Sequence, residues 1–133
     1  MPVPHVEPAA QRTLIDALFA AFNRHDPVGV VAAMTDDVVF EGAAGPEVFG
    51  NRFTGQAAVG EAFAKVFREL PDVRWDDVRH YPAGEHVVTT WIMRATRPDG
   101  ARIEVEGIDL FTLRDGKVSV KRAFRKDRPP QRP

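Results

Sequence analysis

Apolar positions along the chain follow two periods in succession. From Pro8 to Arg24, Leu14, Leu18, Ala21 and Phe22 recur three and four residues apart, with Ile15 and Phe19 widening the stripe, which predicts a helix with one buried face. Asp26 before Pro27 suits an N-cap followed by proline at the first helical position, and opens a short second helix with Val30, Val31 and Met34 on its apolar side, ending near Thr35. Val38 to Gly42 reads as a short strand, and the stretch AAGPEVFGNRF after it is glycine-bearing and irregular, suited to the mouth of a pocket. A third helix opens at Thr54 or Gly55, carries Val59, Phe63, Val66, Phe67 and Leu70 as its stripe, and stops at Pro71-Asp72.

Beyond Pro71 the period becomes two. VRWDDVRHY, HVVTTWIMRAT, RIEVEGIDLFTLR and KVSVKRAFR read as four strands, separated by Pro82-Ala83-Gly84, Pro98-Asp99-Gly100 and the tight turn Arg114-Asp115-Gly116-Lys117. Helices first and a meander of strands afterwards predict a single α+β domain whose curved antiparallel sheet wraps over the N-terminal helices.

At 133 residues the chain is long enough for one well-buried core. It has no cysteine, which removes disulfides, thiolate metal sites and a cysteine nucleophile. Its 18 basic and 19 acidic residues leave a net charge of −1, so a nucleic-acid binder with a broad positive surface is not expected. The basic, proline-rich end from about 127 to 133 is expected to fray in solvent. No apolar run approaches the roughly 20 residues that cross a bilayer, and MPVPHVEPAA lacks the regions of a signal peptide, so a cytoplasmic protein is expected.

One residue does not fit its strand. Counting by twos puts Val105, Gly107, Asp109, Phe111 and Leu113 on one apolar face, with a carboxylate at its centre. The segments FNRHDPVGVVAAMTDDVVFEG, FTGQAAVGEAF and EGIDLFTLRDGKV, in this order of elements, resemble the nuclear transport factor 2-like (NTF2-like) superfamily, and within it SnoaL-like domains and ketosteroid isomerases. The resemblance covers about residues 10 to 126. It implies a cone-shaped sheet around an apolar pocket closed by the first helix, a small apolar or aromatic ligand, and a homodimer formed through the outer sheet face. On the ketosteroid isomerase pattern Asp109 stands where that family keeps a protonated aspartate that donates to an oxyanion; that isomerase is a standard example of a carboxylic acid kept neutral by an apolar site.

The rest of that pattern is missing. The general-base position falls on Gly42 and the tyrosine donor on Leu18. Against limonene epoxide hydrolase, the Asp-Arg-Asp positions hold Ile92, Thr90 and Ala123; against SnoaL-like cyclases, the last strand offers Lys121, Arg122 and Ala123 with no carboxylate before Asp127. Lys121 is a candidate partner for Asp109. The family register turns Lys121, Ala123 and Arg125 inward, whereas plain alternation makes Val118, Val120 and Phe124 the buried set and leaves Lys121 in solvent, and both arrangements stay open.

His80 is a candidate general base, with either His80 or Arg79 and Tyr81 facing inward. The expected pocket wall is Leu18, Phe40, Gly42, Phe53, Phe63, Trp91, Phe111 and Ala123, and Arg52 is a possible clamp. No Gly-rich phosphate loop, nucleophile elbow or metal-spaced cluster occurs, and neither a cofactor nor a metal is expected. The expected function is a small-molecule pocket, in a cofactor-free acid/base isomerase or cyclase acting on a carbonyl compound. The alternative is a non-catalytic ligand-binding or dimeric accessory domain.

Overall fold

The computed structural model describes residues 7–132. Its elements are α1 (Pro8–Asn23), α2 (Pro27–Ala32), β1 (Met34–Glu41), β2 (Arg52–Thr54), α3 (Gln56–Glu69), β3 (Arg74–Ala83), β4 (His86–Thr96), β5 (Arg102–Arg114) and β6 (Lys117–Arg125). The fold is the expected α+β NTF2-like cone, a curved and unclosed sheet against three helices. In the sheet the strands run β2-β1-β6-β5-β4-β3. The sheet is mixed rather than wholly antiparallel, because β1 runs parallel to β6. A long excursion through α3 and four strands separates those two, which gives the chain room for the crossover that parallel neighbours need.

Local chemistry sets the boundaries. Asp26 caps α2 by accepting from the Gly29 amide at 3.1 Å, and Pro27 occupies the first turn. β1 begins at Met34, earlier than the apolar pattern suggests, since Met34 already pairs with Val118; the register then shifts before Val39. Within the irregular stretch, Arg52–Thr54 pairs with Val39–Glu41 and forms a short edge strand. At the β5–β6 turn Asp115 and Gly116 have φ of 54° and 73°, the left-handed pair whose twist matches that of the flanking strands.

Two bulges decide which side chains face inward. In β3 the register slips between Asp76 and Arg79, with Asp77 at φ 55°, so Trp75 and His80 face the same side although they are an odd number of residues apart. In β6 the slip falls between Leu113↔Val118 and Thr112↔Val120 and absorbs Ser119, whose hydroxyl donates to the Thr112 carbonyl at 3.1 Å. Val118 and Lys121 are consequently both buried. The alternation that would bury Val118, Val120 and Phe124 together fails at this bulge: Val120 is half-buried and Phe124 is exposed on the convex face.

The core lies between the helices and the concave face, with Ile15, Leu18, Phe22, Val59, Val87 and Phe111 essentially without solvent contact. α1 is pinned across β3 at both ends. Gln11 donates to the Gly84 carbonyl at 2.7 Å, and the Asn23 amide brackets Trp75, accepting from its N–H at 2.9 Å and donating to its carbonyl at 3.0 Å.

The convex face exposes Tyr81 and Phe124, 52% and 45% accessible. Within the described part of the basic end, Arg102 and Gln131 exchange two backbone hydrogen bonds of 2.7 Å, and Arg128 donates to the Glu104 carbonyl at 2.8 Å. His5 and Pro133 lie outside the described residues. No described helix is long and apolar enough to cross a membrane.

Candidate functional site

The aspartate in the middle of β5 is completely buried. Both of its oxygens accept hydrogen bonds, Oδ1 from Lys121 Nζ at 2.6 Å and Oδ2 from Trp91 Nε1 at 3.0 Å. Lys121 comes from β6, one strand away, and is 4% exposed. Trp91 comes from β4, where it stands opposite Gly107. A Cβ at Gly107 would sit 2.4 Å from the indole and 2.6 Å from the Phe124 carbonyl oxygen, so the absence of a side chain there is what lets the ring lie across β5 and reach Asp109.

Lys121 Nζ lies over three aromatic faces, 4.8 Å from the Phe40 centroid, 5.5 Å from Phe22 and 5.6 Å from Phe63. An ammonium taken out of water is thus met by one carboxylate and by the negative faces of three rings. Taking two charges out of water cancels much of their attraction, and such a pair adds little net stability while penalising loss of either partner heavily. With both oxygens accepting, Asp109 is arranged as a counter-ion and not as an acid that donates to an oxyanion.

A cavity of about 320 Å³ opens beside this cluster, between α3, the end of β1 and the concave sheet. Phe40, Gly42, Phe53, Phe63, Trp91 and Ala123 lie on its wall, as does Lys121. Leu18 and Phe111 do not: both are sealed in the core under α1, so their place in the expected wall is corrected. Asp109 also stays behind the wall and meets the cavity only through Lys121 and Trp91.

His80 faces inward but away from the cavity. Its Nδ1 pairs with Thr89 Oγ1 at 2.9 Å and its Nε2 with Asp16 Oδ1 at 2.6 Å, fastening α1 to β3 and β4. His80, Thr89, Asp109 and Ala123 are register neighbours across four strands, yet His80 is not brought onto the cavity wall. Arg52 is held by Glu41 at 2.8 Å and stacks over Phe49 at 3.6 Å, outside the cavity.

Asn51 and Met93 belong to the wall without having been singled out from the sequence, and Arg125 joins it as the family register has it. For Arg125 a signal existed, since it follows Lys121 and Ala123 at the same face of β6. Burial pushes its guanidinium pKa below the ordinary value. A second concavity, about 570 Å³, lies on the convex face among Arg79, Tyr81, Ile92, Ile108 and Phe124. No group of His, Cys, Asp and Glu able to hold a metal occurs among the described residues.

Over residues 15–120 the sequence matches the model of the SnoaL-like domain, and the chain belongs to that family of the NTF2-like superfamily. No curated protein matches it. Among solved structures, Bal32a from a soil-derived mobile gene cassette has a TM-score of 0.80 at 18% identity, over 92% of this chain and 93% of that one. A candidate polyketide cyclase from Xanthomonas campestris pv. campestris has a TM-score of 0.78 at 20% identity, over 87% and 90%. TerC, co-crystallised with polyporic acid, has a TM-score of 0.75 at 24% identity, over 88% and 92%. At these identities the likeness is one of fold.

The Trp91 to Asp109 hydrogen bond gives a direct stability test. Trp91→Phe keeps an aromatic ring but removes a buried donor to a charged acceptor, and is expected to cost about 1.5–3 kcal/mol in urea unfolding at neutral pH. A change within about 0.5 kcal/mol, the size of an ordinary surface substitution, would contradict this geometry.

Proposed function

We propose that this chain binds a small apolar or aromatic carbonyl compound in the 320 Å³ cavity, with Lys121 as the group that meets the carbonyl oxygen. The observation that carries this reading is an ammonium on the wall of an otherwise largely apolar cavity, held in place by a carboxylate that does not itself reach the wall. A volume near the lower end of the ordinary ligand range, about 300–1,000 Å³, suits a molecule of a few rings or fewer. The SnoaL-like family and the candidate cyclase among structures of this fold support a small-molecule pocket, as does the relative co-crystallised with polyporic acid.

The reaction that fits is cofactor-free isomerisation or cyclisation through an enolate. As the α-proton leaves, charge develops on the carbonyl oxygen, and a fixed ammonium in a dry cavity stabilises that charge more than it stabilises the neutral ketone. The proton passes to water or to Glu69 at the rim. Lys121 is the residue in contact with substrate in this account, Asp109 and Trp91 position it, and His80 serves the fold. The second reading, a non-catalytic binding or accessory domain, is favoured by one observation: among described residues no carboxylate or imidazole other than Glu69 lines the cavity. The exposed convex face around Tyr81 and Phe124 is proposed as the surface of a homodimer.

Hydrogen–deuterium exchange at the α-carbons of 2-tetralone, followed by proton NMR, separates the two readings. The native protein is expected to accelerate exchange, and the charge-free pair Asp109→Asn/Lys121→Met to lose about 10²-fold of that rate. Saturable binding of the ketone without acceleration would leave the binding reading in place. For the dimer, sedimentation velocity should give twice the 14.8 kDa chain mass for the native protein and a monomer for Phe124→Glu; a native monomer at all concentrations would remove that proposal.

A further inference from the structure

The charges around the cavity do not cancel. Inside, Lys121 is neutralised by Asp109 at 2.6 Å. At the rim, Lys65 and Glu69 face each other at 3.9 Å, both well solvated. One cation is left over. Arg125, on the same face of β6 as Lys121 and Ala123, borders the cavity and has no carboxylate within ion-pair distance among the described residues. The contact its head group makes is from Nη1 to the Met93 sulfur at 3.4 Å, and a thioether is a weak acceptor.

Its neighbours along the chain are treated differently. Arg122 holds Glu41 at 3.1 Å, and Lys126 holds Glu106 at 3.6 Å. Arg125 is exposed as a residue and its guanidinium has no carboxylate partner among the described residues, while the partial burial of that head group pushes its pKa down. A planar fork of N–H donors at the mouth of an aromatic cavity matches one kind of group well, a carboxylate or similarly flat oxyanion.

We infer that the cavity selects an organic anion, an aromatic or apolar body lying against Phe40, Phe63 and Trp91 with an acidic group held at the mouth by Arg125. This rests on the cavity being the ligand site, as proposed above, and adds which ligands it prefers. Lys121 and Arg125 then have separate tasks, since Lys121 has its counter-ion already and faces a neutral carbonyl, whereas Arg125 supplies the missing partner for a full negative charge.

The test compares two probes of nearly the same shape, 2-naphthoate and 2-naphthamide, by isothermal titration calorimetry at neutral pH against the native chain, Arg125→Gln and Arg125→Lys. Arg125 makes no backbone-fixing side-chain contact, so both variants should keep the native urea midpoint. The native protein should prefer naphthoate by about tenfold or more, and Arg125→Gln should erase that preference while leaving naphthamide affinity within about threefold. Arg125→Lys should keep part of the preference, because it keeps the charge and loses the fork. Naphthamide binding with no preference for naphthoate, or a preference that survives Arg125→Gln, would overturn the inference and leave the cavity reading standing. Failure of both probes to bind the native chain would remove both.

Discussion

A carboxylate and an ammonium 2.6 Å apart, both taken out of water, are the constraint around which the concave face is arranged. Neither group could be there alone, because the cost of burying an isolated charge exceeds what any single neighbour returns. The surrounding sequence supplies the remaining partners. Trp91 gives Asp109 its second donor, Gly107 gives the indole room to reach it, and Phe22, Phe40 and Phe63 turn their faces toward Lys121. These residues come from α1, β1, α3, β4, β5 and β6, so the pair is tied to nearly every layer of the domain. Lys121 is thereby fixed in position on the wall of the adjoining apolar cavity, which Lys65 and Arg125 also line. Preorganisation of that kind is what makes an electrostatic contact useful in a dry site.

Much of the architecture was legible in the apolar pattern. The stripes of α1 and α3, the Asp26-Pro27 cap, the Asp115-Gly116 turn and the four long strands all follow from local periodicity and turn chemistry, and the structure places them close to where that pattern does. The oddity of Asp109 was legible as well, because one carboxylate on an apolar strand face has few explanations. Which way Lys121 and His80 point was not. A bulge precedes each, absorbing Ser119 in β6 and putting Asp77 into a left-handed conformation in β3, and one extra residue reverses the inward set for the rest of the strand. Counting by twos cannot detect such an insertion, since neither Ser119 nor Asp77 is a glycine that would announce it. The parallel pairing of β1 with β6 was hidden for a related reason: order along the chain favours neighbours in sequence, and these two strands are far apart in it.

The site illustrates how a family fold and its chemistry separate. The cone, the helix that closes it and the aspartate on the β5 strand are shared features of the NTF2-like resemblance. The groups around that aspartate differ: a glycine at the general-base position, a leucine where a tyrosine would donate, a lysine on the last strand. Each substitution moves the polar focus from a donating acid to a paired cation. Asp109 itself does not line the cavity; it holds Lys121, which does.

The concave face depends most directly on the coupling between Asp109 and Lys121, and a double-mutant cycle in urea at neutral pH measures it. Asp109→Asn and Lys121→Met should each cost about 3–5 kcal/mol by stranding the other charge, and the double variant should cost clearly less than their sum. If each substitution instead costs under about 1 kcal/mol and the two effects simply add, the charges are neither buried nor paired as described. The polar focus of the cavity would then have to lie elsewhere.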